Sequence, residues 1–216
     1  MIESLVSGKL VCVALNDRQH LINMHESFHS SPHKAPPTQP VLYFKPRNTW
    51  NVDGAKIEWP DNAEDMVVGA SLGIVIGREV CRISPEQSLS YLSGYTVVHD
   101  FSLPEASYYR PDIKGKCLDG TAPVGPASIN TDLVPDLNNL AVVTCVDGEV
   151  KSTLSLANHV RDVAELLSTI SYIMTLQVGD VIAVGFPCER VALHKGAVVS
   201  STIEGVGTLT NTVGGA

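Results

Sequence analysis

Residues 69–77 read G-A-S-L-G-I-V-I-G. The stretch 72–76 within it is short, apolar and β-branched, which makes it a buried strand rather than a helix. Residues 94–100, G-Y-T-V-V-H-D, form a second such segment and end on an acid, Asp100. These two segments commit the chain to an interior built from sheet. Further strands are expected over 10–15, 41–44, 181–184 and 198–203. A hairpin is expected where 140–146 and 149–151 flank Asp147-Gly148, a dipeptide suited to a tight turn.

Helices are few. The apolar residues Val160, Val163, Leu166, Leu167, Ile170 and Ile173 recur at helical spacing and predict a helix over 158–174. A second helix is expected to start at Ser84 as N-cap, with Pro85 in the first position and Gln87 closing a capping box, and to stop at Gly94. Residues 18–29 suit a short helix that breaks at the Pro-rich loop 30–37. Gly205, Gly207 and Asn211 are expected to punctuate the end of the chain. The division expected is a small, lid-like N-terminal subdomain over 1–62 and a main body over 63–216.

A chain of 216 residues can bury a full core unaided. Its net charge of −8, without any basic block, argues against nucleic acid, because phosphate neutralisation needs clustered Lys and Arg. No apolar run reaches the roughly 18 residues that span a bilayer, so no membrane partner is expected. The first residues, M-I-E-S, lack the basic and apolar stretches of a signal peptide. Cys12, Cys81, Cys117, Cys145 and Cys188 are odd in number and widely spaced, and read as reduced thiols of a cytoplasmic protein.

His25-Glu26-Ser27-Phe28-His29 matches H-E-x-x-H, which on a helix puts two imidazoles on one face for zinc with the glutamate as base. The match is short, the helix is brief on either side of it, and nothing marks His20 or His33 as a third ligand. A solvent-facing polar helix accounts for the same residues.

Several segments, taken together and in order, resemble the fumarylacetoacetate hydrolase family. Asn16 with His20 resembles its G-x-N-Y-x-x-H segment, and Phe44-Lys45-Pro46 its F-x-K-P. The run from Lys116 to Pro126 resembles K-x-x-D-x-x-x-P-L-G-P, the run from Gly179 to Pro187 resembles P-G-D-x-I-x-T-G-T-P, and the run from Ile203 to Asn211 resembles I-E-G-I-G-x-L-x-N. Residues 102–111 and 114–117 are most similar to one branch: the N-terminal half, or subunit, of the bifunctional isomerase/decarboxylase of 4-hydroxyphenylacetate (homoprotocatechuate) breakdown. The resemblance implies an α+β fold, a mixed β-roll with flanking helices. It implies acyclic oxo-dicarboxylate or tricarboxylate substrates, loss of CO2, and a shift of a carbon–carbon double bond.

The resemblance also implies a divalent cation, held in the family by the two glutamates of E-x-E-L-x-x-V-I-G and a later aspartate. Here Gly69 and Ser71 stand at the glutamate positions and only Asp100 survives. One carboxylate is a poor site for a hard cation. Mg2+ or Mn2+ is therefore expected to bind weakly through Asp100 with help from a chelating substrate, or not at all in this chain. His20 stands at the family's acid/base histidine, with Asn23 in place of its usual glutamate partner. Phe186 replaces the second threonine of T-G-T-P, and Pro104-Glu105 replaces an R-D pair. Lys116, Lys45 and Arg110 are candidates to pair with substrate carboxylates, and Lys116 and Asp119 are carried over as catalytic positions. Asp119 equally suits a cap on the turn at Gly120, and Asp100 a cap at a strand end.

Two versions of the function follow: an active decarboxylase/isomerase with a remodelled site around Asp100, His20 and Lys116, or a catalytically silent subunit paired with a paralogue that keeps E-x-E. A homodimer and a heteromer are both open. Acylpyruvate hydrolysis or oxaloacetate decarboxylation ranks below both, since those activities rely on three carboxylates.

Overall fold

The computed structural model describes residues 5–105, 108–134 and 136–214. In chain order its elements are β1 (Leu10–Ala14), α1 (Arg18–Asn23), α2 (His25–Phe28), β2 (Val41–Lys45), β3 (Trp50–Asn51), β4 (Lys56–Ile57), β5 (Val67–Ile76), α3 (Pro85–Ser88), β6 (Leu92–Ser102), α4 (Ile113–Lys116), β7 (Ala122–Ile129), β8 (Ala141–Val146), β9 (Glu149–Ser155), α5 (Val163–Ile173), β10 (Val181–Ala183), β11 (Val191–Ala192), β12 (Val198–Ile203) and β13 (Gly207–Val213). They form an α+β architecture of two mixed sheets. One runs β2-β1-β10-β5-β6-β7-β3 with β11 added on β5, and the other runs β4-β13-β12-β8-β9.

At the centre, β5 and β6 pair antiparallel, with Gly69 opposite Asp100 and Gly73 opposite Thr96. Side chains alternate faces along a strand. Leu72, Ile74 and Ile76 join the larger core, packed with Val163, Leu166, Leu167 and Ile170 of α5. Gly69, Ser71 and Gly73 face the other way and present almost no side chain, so other groups approach the sheet closely there. This bare face is where the candidate site forms. On the α5 side the core is tight: Leu166→Ala is expected to cost about 2–5 kcal/mol by removing a fully buried side chain, read as a lower urea midpoint at unchanged slope.

Several sequence expectations shift. The helix expected over 158–174 starts at Val163, because Asp162 and Glu165 form a reciprocal capping box, with N–H to carboxylate distances of 2.8 and 3.2 Å. Ahead of it, Leu156–Asn158 is a 3-10 turn. The helix begun by Ser84 ends at Ser88 and passes through a second 3-10 turn into β6. Gly94 is not its stop. It lies within β6, where a Cβ would meet the Ile129 backbone carbon at 3.0 Å. Residues 18–29 form two short helices broken at Met24.

Gly207 and Asn211 do not end the structured chain but belong to β13. Buried Asn211 donates to the carbonyls of Val52 and Ala55 at 3.0 Å each. The Asp147-Gly148 turn is as expected, both residues having positive φ (52° and 83°). Strand pairing crosses the expected boundary at residue 62 three times, through β1–β10, β3–β7 and β4–β13, so the sheets do not divide there. Residues 1–4, like Ala106 and Ser107 of the segment that carried the branch resemblance, lie outside the described residues.

Candidate functional site

On the bare face of β5 and β6, one carboxylate gathers three cations. Asp100 is fully buried. Its Oδ1 accepts from Lys45 Nζ at 2.8 Å, and its Oδ2 accepts from Tyr43 Oη at 2.7 Å and Lys116 Nζ at 3.1 Å, while Arg190 Nη2 forms an ion pair with Oδ2 at 3.1 Å. Tyr43 and Lys45 come from β2, Lys116 from the last residue of α4, and Arg190 from the residue before β11. Glu105 lies 3.5 Å from Lys116. Three cations thus face two carboxylates and the cluster is net positive. Burial alone would raise the Asp100 pKa, but Lys45, Lys116 and Arg190 outweigh it and hold the carboxyl well below its usual range.

Above this cluster opens a cavity of about 440 Å3, lined among others by His20, Tyr43, Glu105, Tyr108, Lys116 and Arg190. Leu42, Phe186 and Pro187 add apolar lining beside these polar groups. His20 is buried and packs edge-on against Tyr108, with ring centroids 5.0 Å apart. Burial and then the Arg190 charge lower its pKa, against a smaller opposing pull from Asp17, so the imidazole is neutral at neutral pH. Burial also raises the pKa of Glu105, against the pull of Lys116 and Arg190.

The structure brings His20, Lys116 and Arg110 to the cavity, Arg110 on its exposed rim. It does not bring Lys45 there. Lys45 is fully buried beneath the cluster, its ammonium satisfied by Asp100, the Lys116 carbonyl (2.6 Å) and longer contacts to Phe101 O and Thr121 Oγ1 (3.4 Å each), so it is not placed to meet a substrate. Asp119 is exposed, does not line the cavity, and accepts from Asn48 Nδ2 at 2.6 Å beside Gly120, whose φ is +65°. Asn23 bonds Gln19 and Cys188 rather than His20. His25, Glu26 and His29 of H-E-x-x-H are exposed on the short α2 and its cap, with the His25 and His29 rings 4.9 Å apart, while Phe28 is buried. Among the described residues, no group of three or more His, Cys, Asp or Glu is set to hold a metal.

A divalent cation at the family position does not fit the residues present. Asp100 is engaged by three fixed cations and a phenol. The Ser71 hydroxyl donates to the Leu72 carbonyl at 2.9 Å and accepts from the Gly185 N–H at 3.2 Å. A Cβ on Gly69 would stand 2.8 Å from Arg190 Cζ and 2.9 Å from its Cδ, so arginine already fills the space that a side chain at 69 would use.

Arg190, Tyr43, Glu105 and Tyr108 were not singled out from the sequence. The available signal was joint. A glycine at 69 leaves a void opposite Asp100, and Phe186 in place of a threonine offers a flat surface, on which the Arg190 guanidinium stacks 4.4 Å from the ring centroid.

Comparison with known proteins agrees with this architecture. Residues 9–214 match the family model described as fumarylacetoacetate (FAA) hydrolase C-terminal. The 4-hydroxyphenylacetate degradation bifunctional isomerase/decarboxylase of Escherichia coli is 37% identical over 208 residues, covering 96% of this chain and 47% of the relative. The chain thus spans about half the length of the curated relatives it matches first. Among solved structures, 2-hydroxyhepta-2,4-diene-1,7-dioate isomerase from Mycobacterium marinum superposes with a TM-score of 0.79 at 30% identity, covering 97% of this chain and 75% of that one. Fumarylpyruvate hydrolase from Pseudomonas aeruginosa, in complex with Mn2+ and pyruvate, shares the fold with a TM-score of 0.80 at 24% identity, covering 96% and 89%.

Proposed function

The chain belongs to the fumarylacetoacetate hydrolase family, and on that premise we propose that it acts in 4-hydroxyphenylacetate catabolism at the decarboxylase/isomerase step, on 5-oxopent-3-ene-1,2,5-tricarboxylate and the diene-dioate formed from it. The observation that carries this reading is a cavity lined by Lys116 and Arg190, the two cations held at Asp100, and by a neutral imidazole, His20. A polycarboxylate needs fixed positive charge to enter and an apolar surround to strengthen it.

The chemistry asks little more. Loss of CO2 breaks the bond from C2 to its carboxylate. The electron pair passes through the adjacent double bond to the ketone oxygen, and protonation of that oxygen gives the 2-hydroxydiene. Negative charge builds on the keto-acid end, where Lys116 and Arg190 stabilise it without reorganising. The double-bond shift of that 2-hydroxydiene takes the proton from the enol oxygen and delivers one to C5, leaving a 2-oxo-3-ene, and so needs a group that can accept and return a proton. Neutral His20 fills that role, with Glu105 as the second wall group able to exchange a proton. Asp100 touches no substrate; it orients Lys116 and Arg190.

The test is CO2 release and diene absorbance with the purified chain. Turnover that falls roughly 100-fold or more in Lys116→Met supports the reading. A second reading rests on the half-length coverage of the bifunctional relatives: the chain is a silent unit that pairs with a metal-bearing paralogue. Inactivity alone, with turnover restored on adding such a paralogue, would favour it, and a shift in the mass of the purified species would identify the complex.

A further inference from the structure

The geometry points to Arg190 as the resident replacement for a divalent cation: with Lys116 it forms a metal-free seat for the planar carboxylate of an α-oxo acid, and Gly69 is the residue that makes room for it. This rests on the proposed function only in placing an oxo acid in the cavity.

Three observations converge. Gly69 and Asp100 are directly opposite on β5 and β6, so a side chain at 69 would share one face with Asp100. Arg190 lies across that vacant position and reaches Asp100 Oδ2 at 3.1 Å and the Asp100 carbonyl at 3.4 Å. Phe186 backs the guanidinium at 4.4 Å. Each of Gly69, Phe186 and Arg190 suits the others, and together they place a fixed positive charge next to Asp100 and facing the cavity. A dication brought to the same place would meet that charge and those of Lys45 and Lys116 at close range, in surroundings that screen poorly.

The guanidinium carries five N–H donors in a planar fork, more than its three contacts to Asp100 and Tyr43 engage. That fork matches a carboxylate bidentately. Lys116, 3.1 Å from the same Asp100 oxygen, offers a point charge beside it for the neighbouring oxo group. The ligand class is therefore an α-oxo or dicarboxylate anion bound directly by protein cations.

Oxalate, a planar dianion, is the probe. Isothermal titration of oxalate into the full chain in EDTA is expected to show binding, and added Mg2+ or Mn2+ is expected to leave the affinity unchanged. Arg190→Gln is expected to weaken it roughly 30-fold or more. Because that variant also disturbs the Asp100 cluster, Gly69→Ala is the second arm. Alanine is favoured over glycine in a strand, yet its Cβ displaces the guanidinium while keeping the arginine's charge. It is expected to weaken oxalate comparably while lowering thermal stability less than Arg190→Gln, because the arginine's charge stays near Asp100. Oxalate binding that requires Mg2+ or Mn2+, no binding by the unaltered chain in EDTA, or full affinity in Gly69→Ala would each overturn the inference. CO2 release from the tricarboxylate, measured separately, judges the proposed function whatever the oxalate result.

Discussion

Asp100→Asn is expected to destabilise the chain by about 3–5 kcal/mol, because removing one partner leaves buried charge unpaired. Lys45 is fully buried and Lys116 nearly so, and Asp100 is the carboxylate that both share. The amide keeps the shape but supplies no negative charge and cannot accept at both atoms. For a chain of this size the loss corresponds to a melting temperature lower by roughly 6–20 °C. Circular dichroism during heating measures it. The pH dependence has a definite sign. The folded Asp100 pKa lies well below the ordinary carboxylate value, so its stabilisation is fully present above the unfolded pKa of about 3.9 and is lost as pH falls through the folded value. Asp100→Asn therefore flattens the acid limb of the stability curve below about pH 4. A full melt within 1–2 °C of the unaltered chain would mean that the cluster is not a structural unit.

His20→Gln is expected to reduce the double-bond shift about 100- to 10,000-fold, the usual range for a positioned acid/base group. The base form is the neutral imidazole, so the rate rises with pH through the His20 pKa and levels off above it. Burial and Arg190 lower that pKa while Asp17 pulls the other way. The limb therefore lies below the ordinary histidine value of about 6.5, and the plateau covers neutral pH. Gln keeps a polar side chain beside Tyr108 but cannot carry the proton, so the limb disappears together with the rate. Retained rate and an unchanged limb would move the proton transfer to another titratable group of the lining, Glu105 first.

The sequence made the strands around 69–76 and 198–203 legible, because apolar, β-branched residues there leave no competing period. It also marked the 147–148 turn, where two positive φ angles require Asp-Gly or a close equivalent. Family resemblance placed Lys116, His20 and Asp100 near one another. What it could not convey is the role of Asp100. A lone surviving acid reads as a remnant metal ligand until the cations around it are known, and those come from β2, α4 and the residue before β11. Lys45 looks like a substrate contact on the same ground, since a lysine in an F-x-K-P pattern carries no sign of being fully buried. Gly94 resembles a helix stop in the sequence because its reason, the close approach of Ile129 on β7, is tertiary. Arg190 carries no signal in the sequence because its significance lies in the void left by Gly69, far from it along the chain.

The most direct measurement is a crystal structure of the purified chain grown with oxalate and excess Mn2+, with data collected at the manganese edge. Oxalate density bridging Lys116 and Arg190, with no anomalous peak within coordination distance of Asp100, is the result expected. A manganese peak on an Asp100 oxygen, with Arg190 swung out of the space beside Gly69, would contradict the account at its centre.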